Sequence, residues 1–410
     1  MLKGKHILVG ISGGIAAYKI PELIRLLTKA GAEVQVTTTK NALEFVTCLT
    51  LQTLSGHKVY SDVFAAINEH STEHISLPDW ADMMIIAPAT ANVIGKMSAG
   101  IADDALTTTF AAMRKPVVIA PAMNDKMYAA PATQEAIRVL SSCGNITMLD
   151  CAEGPLACGT TGKGRMQETD VLLAAVEYAL SDKPLQGRRV LITAGPTHEA
   201  IDPVRYISNA STGKMGYALA RVCLRMGADV TVVSGPTNIS MHAWEAFAPL
   251  RMVNVSSAKE MAAATVSAFA QADITILCAA VADFTPAEPA VQKIKKQPGQ
   301  TALTLQLQTT QDIAATLGDC KRDNQVLVGF ALETNNEVQN ATRKMQSKHL
   351  DMIVLNSLQD AGAGFGTDTN QVTLLYPNGT QTPLPLATKD RVAEEIIEAI
   401  LHSDCVTSPL

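Results

Sequence analysis

An opening that occurs twice decides the fold: KHILVGISGGIAAYK at residues 5–19 and RRVLITAGPTHEA at residues 188–200. Each copy starts with basic residues, continues with a short apolar run and ends in a tight turn that contains glycine. A helical stretch and a second apolar run follow each copy, within KAGAEVQVTTT and RMGADVTVVSG. A strand that leads through a glycine-rich turn into a helix is how α/β sheets present backbone N–H groups to an anionic ligand. The sequence therefore predicts two α/β units with two separate ligand sites.

Composition restricts the kind of protein that the chain can form. Its 410 residues allow two or three domains, and a composition of 47% hydrophobic and 18% charged residues suits a globular protein. A net charge of −6 without a basic stripe argues against a nucleic-acid partner. The chain shows no apolar run of bilayer length and no signal-peptide pattern, so we expect a cytoplasmic protein without a membrane partner. Eight cysteines without a CxxC pair predict neither structural zinc nor a disulfide framework.

Strand-length apolar runs alternate with amphipathic segments of helix length in both halves. The runs lie at 6–11, 33–38, 83–87 and 116–120, and then at 189–194, 229–234, 274–279, 326–330 and 352–355. This alternation predicts an α/β protein with two doubly wound, mainly parallel sheets. In the second half, QVTLLY at 371–376 precedes an Asn378–Gly379 turn, which predicts a late β-hairpin.

The polar segment SDKPLQG at 181–187 divides the two halves. We place the first domain at 1–182 and the second at 187–402, with 183–186 as a linker and 403–410 as a tail. The glycine-rich segment 151–167 shows no apolar period, and we predict that it is a loop or flap.

The first turn, Gly10-Ile-Ser12-Gly13-Gly14, lacks the GxGxxG pattern of dinucleotide sites. The second strand ends in Thr37-Thr38-Thr39-Lys40, where a dinucleotide site would place an acid for the ribose. Hydroxyls and a lysine there suit a terminal phosphate, and a mononucleotide such as FMN fits the set. The candidate FMN-binding residues are Gly10, Ser12, Gly13, Thr39, Thr90, Asn92 and Ser98. The alternative, that these small polar residues only cap helices and shape loops, stays open at this point.

The second half offers phosphate-binding features of a different kind. Ser211-Thr212-Gly213-Lys214 resembles a P-loop, but Met215 stands where that loop needs Ser or Thr. The segment still reads as a helix N-terminus suited to phosphate. The run KIKK at 293–296 follows a loop that contains Ala279, Ala280 and Asp283, at the end of a predicted strand. An acid beside lysines could serve a nucleotide triphosphate with a divalent cation, whereas a solvated lysine face is the alternative.

Five further side chains could take part in chemistry. His74 precedes a strand among acids and could act as a general base, and Asn124 after the 116–120 strand could orient a carboxylate. Cys158 lies in the glycine-rich segment near two cations that favour a thiolate. Arg205 and Asn209 precede the phosphate-binding turn of the second half. The alternatives are a structural histidine, a helix cap at Asn124, and an Arg205 paired with a structural acid.

Several of these segments together resemble known families. GISGGIAAYK, HISLPDWAD, PATANVIGKMSAGIADD, PAMN and GPLACGTTGKGR resemble the flavin-dependent phosphopantothenoylcysteine decarboxylases. TAGPTHEAIDPVRYISNASTGKMG, AAVADF, KIKK and VGFALET resemble the phosphopantothenate–cysteine ligases. The order resembles the bacterial bifunctional enzymes of coenzyme A synthesis, over about residues 4–402. The resemblance implies a flavodoxin-like flavoprotein domain followed by a Rossmann-like ligase domain.

For the second half, the resemblance implies ligation of 4′-phosphopantothenate with L-cysteine. CTP activates the carboxylate as an acyl-cytidylate, with Mg²⁺ carried by the CTP phosphates and Asp283 as a candidate protein ligand. Asn209 matches the position that handles the acyl-cytidylate, Asp283 and Phe330 match nucleotide-binding positions, and Lys293 matches the functional lysine. Phe284-Thr285-Pro286 follows Asp283 where many relatives carry an aromatic residue and then Arg. The choice of CTP over ATP rests on the bacterial type of fusion.

For the first half, the resemblance implies FMN-dependent decarboxylation of 4′-phosphopantothenoylcysteine to 4′-phosphopantetheine. His74 matches the base, Asn124 the carboxylate-binding residue, and Cys158 the flap cysteine of the final reduction. The families also imply a homo-oligomer, a dodecamer built from decarboxylase trimers and ligase dimers. Two alternatives remain: a non-catalytic FMN-binding regulatory flavoprotein fused to a ligase-like domain, and a nucleotide-sugar or nicotinamide enzyme. The Cys158 segment disfavours the first, and the missing ribose acid disfavours the second.

Overall fold

The structure is a computed structural model that describes residues 2–64, 73–155, 159, 161–357 and 366–402. The chain divides into two compact units. The first comprises Met1–Ser181 and His242–Phe247, and the second comprises Asp182–Met241 and Ala248–Leu410. Each unit is built around its own sheet.

The first unit has a five-stranded parallel sheet in the order β2-β1-β3-β4-β5, which is the flavodoxin-like order. The strands of this sheet are β1 His6–Ile11, β2 Glu33–Thr38, β3 Met83–Ala89, β4 Val117–Pro121 and β5 Ile146–Met148. The unit also contains the strands β6 Ala152–Pro155 and β7 Thr161–Arg165, which pair with each other. Its helices are α1 Ile20–Lys29, α2 Cys48–Ser55, α3 Glu73–Trp80, α4 Ala91–Ser98, α5 Ala105–Ala112, α6 Asp125–Ala129, α7 Pro131–Ser141 and α8 Thr169–Leu180. Short 3₁₀ helices span Ile15–Lys19 and Lys40–Glu44.

Local sequence explains why these elements form. Every residue of β3 is buried, as expected for a central parallel strand covered on both faces. The helix α1 begins with a proline in its first turn, and buries Ile20, Leu23, Ile24 and Leu27 at helical spacing. Gly31 follows with a φ of 94°, which lets the chain turn back into β2. The strands predicted at 6–11 and 33–38 are thereby confirmed.

The second unit has an eight-stranded sheet in the order β12-β11-β8-β13-β16-β17-β18-β19. The strands of this sheet are β8 Arg189–Ala194, β11 Asp229–Ser234, β12 Leu250–Asn254, β13 Ile274–Leu277, β16 Val326–Glu333, β17 Met352–Ser357, β18 Thr369–Leu375 and β19 Gln381–Thr388. The unit also contains the short strands β9 His198–Ala200, β10 Tyr206–Ser208, β14 Phe284–Pro286 and β15 Leu307–Thr309. Its helices are α9 Lys214–Arg225, α11 Ala258–Phe269, α12 Ile313–Cys320, α13 Glu337–Ser347 and α14 Lys389–Leu401, whereas α10 His242–Glu245 belongs to the first unit.

The first six strands of this large sheet are parallel and follow the order of a Rossmann fold, with β8 at the centre. The strands β18 and β19 extend it as an antiparallel hairpin. Two small antiparallel ribbons, β9–β10 and β14–β15, stand apart from the sheet. The predicted fold class and the late hairpin are therefore confirmed.

Two segments differ from simple expectation. The segment 151–167, predicted as a loop or flap, forms the antiparallel hairpin β6–β7 around residues outside the described part. Its glycines interrupt the alternation of apolar and polar residues by which a strand is predicted. They allow the hairpin backbone to lie close to a neighbouring loop, since a Cβ on Gly164 would lie 2.3 Å from the Met123 carbonyl oxygen. Residues 183–186 lie in the second unit, where Leu185 is buried and its N–H donates to the Met226 carbonyl.

Candidate functional site

A cavity of about 1170 Å³ opens at the carboxyl edge of the first sheet, the usual ligand position in such folds. Five of the residues predicted from sequence line it: Gly13, Thr39, Thr90, Asn92 and Asn124. The structure thus brings together side chains that lie more than a hundred residues apart in the chain.

Three predicted flavin residues support this cavity from outside its lining. Gly10 lies in the core of β1, where a Cβ would stand 2.5 Å from a methyl carbon of Leu106. The buried Ser12 hydroxyl donates to the Pro88 carbonyl at 2.7 Å and accepts the Thr90 N–H at 3.0 Å. Ser98 donates to the Gly95 carbonyl at the end of α4. These groups fix the turn and the strand end that form the cavity wall.

The end of β2 supplies polar groups that a ligand could satisfy. Thr39 is buried beside the cavity, and its Oγ1 has no hydrogen-bond partner among the described residues. The hydroxyls of Thr37 and Thr38 are likewise unpartnered within the described part of the chain. A buried hydroxyl without a hydrogen-bond partner lowers the stability of the folded protein by about 1–3 kcal/mol, so its presence points to a partner such as a bound ligand. An anionic group in the cavity would accept a hydrogen bond from the Thr39 hydroxyl, which fits the phosphate of a flavin mononucleotide.

The remaining decarboxylase candidates lie in different positions. Asn124 lines the cavity and also caps α6, since its Oδ1 accepts the Lys126 N–H at 3.0 Å. His74 is half-buried in the first turn of α3 and is not part of the cavity lining. Cys158 lies outside the described residues. Cys151 is buried, and burial raises the pKa of its thiol to about 12, so it stays protonated.

The hairpin β6–β7 is anchored to the loop that carries Asn124. The Met123 N–H donates to the Gly164 carbonyl at 2.9 Å. Asp150 accepts the Tyr128 hydroxyl and lies 2.5 Å from the Lys163 ammonium. Although burial opposes ionisation, the bonds from Lys163 and Tyr128 hold the pKa of Asp150 below its usual range.

A second cavity, of about 640 Å³, lies at the carboxyl ends of β8, β13 and β16. Nine predicted residues line it: Asn209, Ser211, Thr212, Gly213, Lys214, Ala279, Ala280, Asp283 and Phe330. The Asn209 amide donates to the carbonyls of Ala280 and Val281, at 3.1 and 3.0 Å. Gly213 has a φ of 79° and precedes α9, so it lets the chain enter the helix in a left-handed conformation.

Two predicted ligase residues lie outside the lining of this cavity. The Arg205 guanidinium pairs with the buried Asp202 carboxylate at 3.2 Å and donates to the Ile294 carbonyl at 3.1 Å. This is the structural pairing that stood as the alternative for Arg205, and it ties down the lysine-rich loop. Lys293 in that loop is exposed.

Sequence reasoning missed several cationic groups in both cavities. Lys19, Lys96 and Arg165 line the first cavity. Lys344, Lys348 and Lys389 line the second, in addition to Lys214. Lys389 is buried and donates to the Thr367 carbonyl, and burial together with nearby Lys214 lowers its pKa. Lys19, Lys96 and Arg165 lie within segments quoted above for the family resemblance, which was the available signal, although no cavity role was predicted for them. Lys344, Lys348 and Lys389 lie on or beside helices that carry no motif.

The described side chains include no group of three or more His, Cys, Asp or Glu that could hold a metal ion. No helix in the described ranges is both long and apolar enough to cross a membrane.

Comparison with known families agrees with this geometry. A family model described as Flavoprotein matches residues 1–181, and one described as DNA/pantothenate metabolism flavoprotein C-terminal domain matches residues 185–403. The chain is therefore a two-domain α/β flavoprotein.

Relatives narrow the class to one family. A coenzyme A biosynthesis bifunctional protein CoaBC from Bacillus subtilis is 46% identical over 403 residues, covering 98% of this chain and 97% of the relative. The protein of the same name from Escherichia coli is 41% identical over 402 residues, covering 98% and 97%. A cysteine/cysteine sulfinic acid decarboxylase is 48% identical over 361 residues, covering 87% of this chain and 99% of the relative. The chain belongs to the family of bifunctional coenzyme A biosynthesis enzymes, which join a decarboxylase to a ligase.

Two solved structures are each similar to one half of the chain. The C-terminal domain of a CoaBC protein is 39% identical with a TM-score of 0.44, covering 53% of this chain and 96% of that one. A PPC decarboxylase mutant complexed with pantothenoylaminoethenethiol is 34% identical with a TM-score of 0.39, covering 42% and 96%.

Proposed function

We propose that the second unit ligates 4′-phosphopantothenate with L-cysteine at the expense of CTP, and that the first unit decarboxylates the resulting 4′-phosphopantothenoylcysteine to 4′-phosphopantetheine. The observation that carries this proposal is the relationship to bifunctional enzymes along nearly the whole chain. It is supported by two separate cavities, one at the carboxyl edge of each sheet. The protein would act in the cytoplasm on small-molecule substrates.

In the ligase half, the chemical problem is that a carboxylate is a poor electrophile. Forming an acyl-cytidylate activates it, and the protein must then stabilise the negative charge of departing pyrophosphate. Lys214 and Lys389 stand in the cavity wall for this task, and Asn209 would orient the acyl-cytidylate. The Asn209 amide donates to the carbonyls of residues 280 and 281, and these bonds hold it next to the strand-end loop that also carries Asp283.

The proposed magnesium ion would arrive with CTP. Since the described residues form no multi-carboxylate cluster, the triphosphate itself would supply most of the ligands. Asp283 lines the cavity and is exposed, so it could add one oxygen. Lys293 and Phe330 complete the proposed nucleotide site.

In the decarboxylase half, FMN would lie in the first cavity with its phosphate at the hydroxyl-rich end of β2. When bound, FMN supplies a reversible oxidation of the carbon that bears the thiol, which makes loss of CO₂ feasible without net redox change. Asn124 would donate to one carboxylate oxygen of the substrate, and His74 would hold the proton removed from its thiol end. Cys158 would return a proton to the ene-thiol during the final reduction.

Exposed apolar side chains support the proposed homo-oligomer. In the first unit Tyr18 is 61% exposed and Phe64 is 85% exposed, and both line the cavity. In the second unit Val204, Tyr206 and Phe284 lie exposed on the two small ribbons. Large apolar groups grouped around a site are typical of surfaces covered by a partner. We propose that trimers of the first unit and dimers of the second build a dodecamer, in which His74 and Lys293 reach sites of neighbouring copies.

One reaction tests the proposal. Purified protein receives 4′-phosphopantothenate, L-cysteine, CTP and Mg²⁺, and mass spectrometry follows the products. We expect 4′-phosphopantetheine and CMP. Accumulation of 4′-phosphopantothenoylcysteine alone would refute the decarboxylase assignment, and absence of both products, also with ATP, would refute both assignments. A parallel reaction with cysteine as the only substrate tests the activity for which the 48% identical relative is named.

A further inference from the structure

We propose that Lys19 and Arg165 form a second phosphate-binding corner of the first cavity, which receives the terminal phosphate of the acyl-cysteine substrate. This inference rests on the proposed decarboxylase function. Lys19 ends the 3₁₀ helix after the glycine-rich turn, and Arg165 ends β7. Both line the cavity, and both reach the same carboxylate of Glu168, at 2.6 Å from Lys19 and 3.0 Å from Arg165. Only 12% of the Lys19 side chain is exposed, so its position is well defined.

The charge balance distinguishes this corner from the other cationic positions in the lining. Lys96 lies 2.7 Å from Asp103 and 3.6 Å from Asp104, so two carboxylates surround one cation there. Lys40 faces Asp62 at 4.0 Å, one acid to one base. At the corner, two cations share the single carboxylate of Glu168. Among the described charged side chains that line the cavity, a surplus of positive charge therefore stands only at Lys19 and Arg165.

Surplus positive charge in a partly enclosed cavity selects an anion, and Arg and Lys together suit a phosphate monoester. The flavin phosphate is proposed to bind at a different position, next to the buried hydroxyl of Thr39 at the end of β2, which has no partner in the described part of the chain. The cavity of about 1170 Å³ exceeds the usual 300–1,000 Å³ of a site for one small ligand, which leaves room for a second molecule.

The reacting carboxylate of the substrate is the less suitable occupant. Pairing it with two cations would stabilise the ground state more than the transition state, in which its charge is leaving as CO₂. The strand geometry also separates the two positions. Gly164 faces the 123–125 backbone, so Arg165, the next residue of β7, points to the opposite face of the hairpin. Its guanidinium reaches Glu168 on that face.

The test compares two substrates on the FMN-loaded full-length protein. We would measure kcat and KM of Lys19→Met for 4′-phosphopantothenoylcysteine and for pantothenoylcysteine, which lacks the phosphate. Loss of one charge-assisted hydrogen bond should raise KM for the phosphorylated substrate about 10- to 100-fold, with kcat little changed. KM for pantothenoylcysteine and the bound FMN content should stay at wild-type values. Lys29→Met, at the exposed end of α1 away from the cavity, is the matched control.

Glu168→Gln separates binding from a merely structural ion pair. Because the neutral amide competes less for Lys19 and Arg165, KM for the phosphorylated substrate should be at or below the wild-type value. A structural ion pair predicts instead that Glu168→Gln and Lys19→Met have the same effect. Arg165→Met, a half-exposed position, provides a second cation deletion should Lys19→Met fold poorly.

Three results would overturn the proposal: an unchanged KM for the phosphorylated substrate, an equal rise for both substrates, or loss of FMN from Lys19→Met. Loss of FMN would indicate that Lys19 and Arg165 bind the flavin phosphate rather than the substrate phosphate. If the wild-type protein turns over neither substrate, the proposed function fails. Calorimetric titration of the FMN-loaded protein with 4′-phosphopantothenoylcysteine then still decides the corner, since Lys19→Met must weaken that binding if the proposal holds.

Discussion

The two cavities occupy equivalent places in two doubly wound sheets, but they offer different groups to a ligand. The first presents the buried hydroxyl of Thr39, unpartnered among the described residues, at the end of its second strand, and its cations Lys19, Lys96 and Arg165 lie elsewhere in the lining. The second presents four ammonium groups, of Lys214, Lys344, Lys348 and Lys389. Hydroxyls and backbone N–H groups suit a phosphate that stays bound, whereas ammonium groups suit phosphates whose charge increases during reaction. The architecture therefore determines where a ligand binds, and the side chains at the strand ends determine which ligand.

Carboxylates of described residues pair with ammonium groups in the lining of the second cavity. Lys214 lies 2.6 Å from Asp368, Lys344 lies 2.6 Å from Glu333 and Lys348 lies 2.9 Å from Asp312. Lys389 donates to the carbonyl of Thr367. These partners hold the cations in the lining, ready for the exchange of a carboxylate for a phosphate.

The largest expected effect breaks the first site and leaves the second intact. We predict that His74→Asn lowers CO₂ release about 10²- to 10⁴-fold, the usual contribution of a general base. FMN binding and ligation should stay unchanged, because His74 is proposed to act on the substrate rather than to hold FMN, and it does not line the ligase cavity. CO₂ release from supplied 4′-phosphopantothenoylcysteine is the measurement. His57→Asn, whose ring nitrogen lies 3.3 Å from Glu33, is the control, and normal CO₂ release by His74→Asn would remove this histidine as the base.

The converse variant breaks the second site. Lys293→Gln should lower the ligation rate about 10²- to 10³-fold through lost stabilisation of phosphate charge, with decarboxylation of supplied substrate unaffected. CMP release measures ligation. Lys259→Gln, exposed on α11 of the same unit, is the matched control. A Lys293→Gln protein that ligates at the wild-type rate would show that this exposed lysine has no part in the site.

A pair of threonine variants sharpens the contrast between the hydroxyl-rich site and an ordinary core. Thr39→Val should weaken FMN binding about tenfold, because one donor to the phosphate is lost. Thr275→Val in β13 removes another buried hydroxyl that has no partner among the described residues, but in a position that lines neither cavity. That change should leave FMN binding and ligation unchanged and raise the unfolding temperature. Flavin titration and calorimetry measure both effects, and equal FMN affinities of the two variants would contradict the assignment of Thr39.

The smallest expected effect concerns stability against pH in the second unit. Burial lowers the pKa of Lys183 to about 8, and its ammonium donates to the Arg225 carbonyl at 3.0 Å. Between about pH 8 and the unfolded value of about 10.4, the unfolded chain binds more protons, so Lys183 makes stability rise with pH in this window. Because Lys183 is only half-buried, solvent screens most of this effect, and Lys183→Met should remove a rise in Tm on the order of 2 °C between these values. Identical pH profiles of variant and wild type would contradict the shift.

Much of the fold could be predicted from sequence because buried parallel strands are continuous apolar runs. The strand predictions at 189–194 and 229–234 coincide with β8 and β11. Short strands with little burial could not be found this way, and β5 has only half-buried residues. The hairpin β6–β7 was missed because it has no alternating apolar pattern. The glycines of β7 are there because they pack directly against residues 123–125, where a Cβ would not fit.

The candidate sites were predictable where a motif ends a strand and obscure elsewhere. Thr39 follows a predicted strand, Gly213 stands at a predicted helix N-terminus, and both line cavities. Lys344 and Lys348 lie in a polar helix segment that any surface could carry, and only the fold brings them to the carboxyl edge of the sheet. The pairing of Arg205 with Asp202 shows the opposite case, in which a promising side chain completes a structural bond.

The measurement that tests the central claim most directly is the product pattern of the protein after removal of its flavin. With 4′-phosphopantothenate, L-cysteine, CTP and Mg²⁺, the flavin-free protein should form CMP and accumulate 4′-phosphopantothenoylcysteine. Addition of FMN should convert this intermediate to 4′-phosphopantetheine. Two cavities with separate chemistry require that result. Loss of CMP formation on flavin removal, or CO₂ release without FMN, would contradict it.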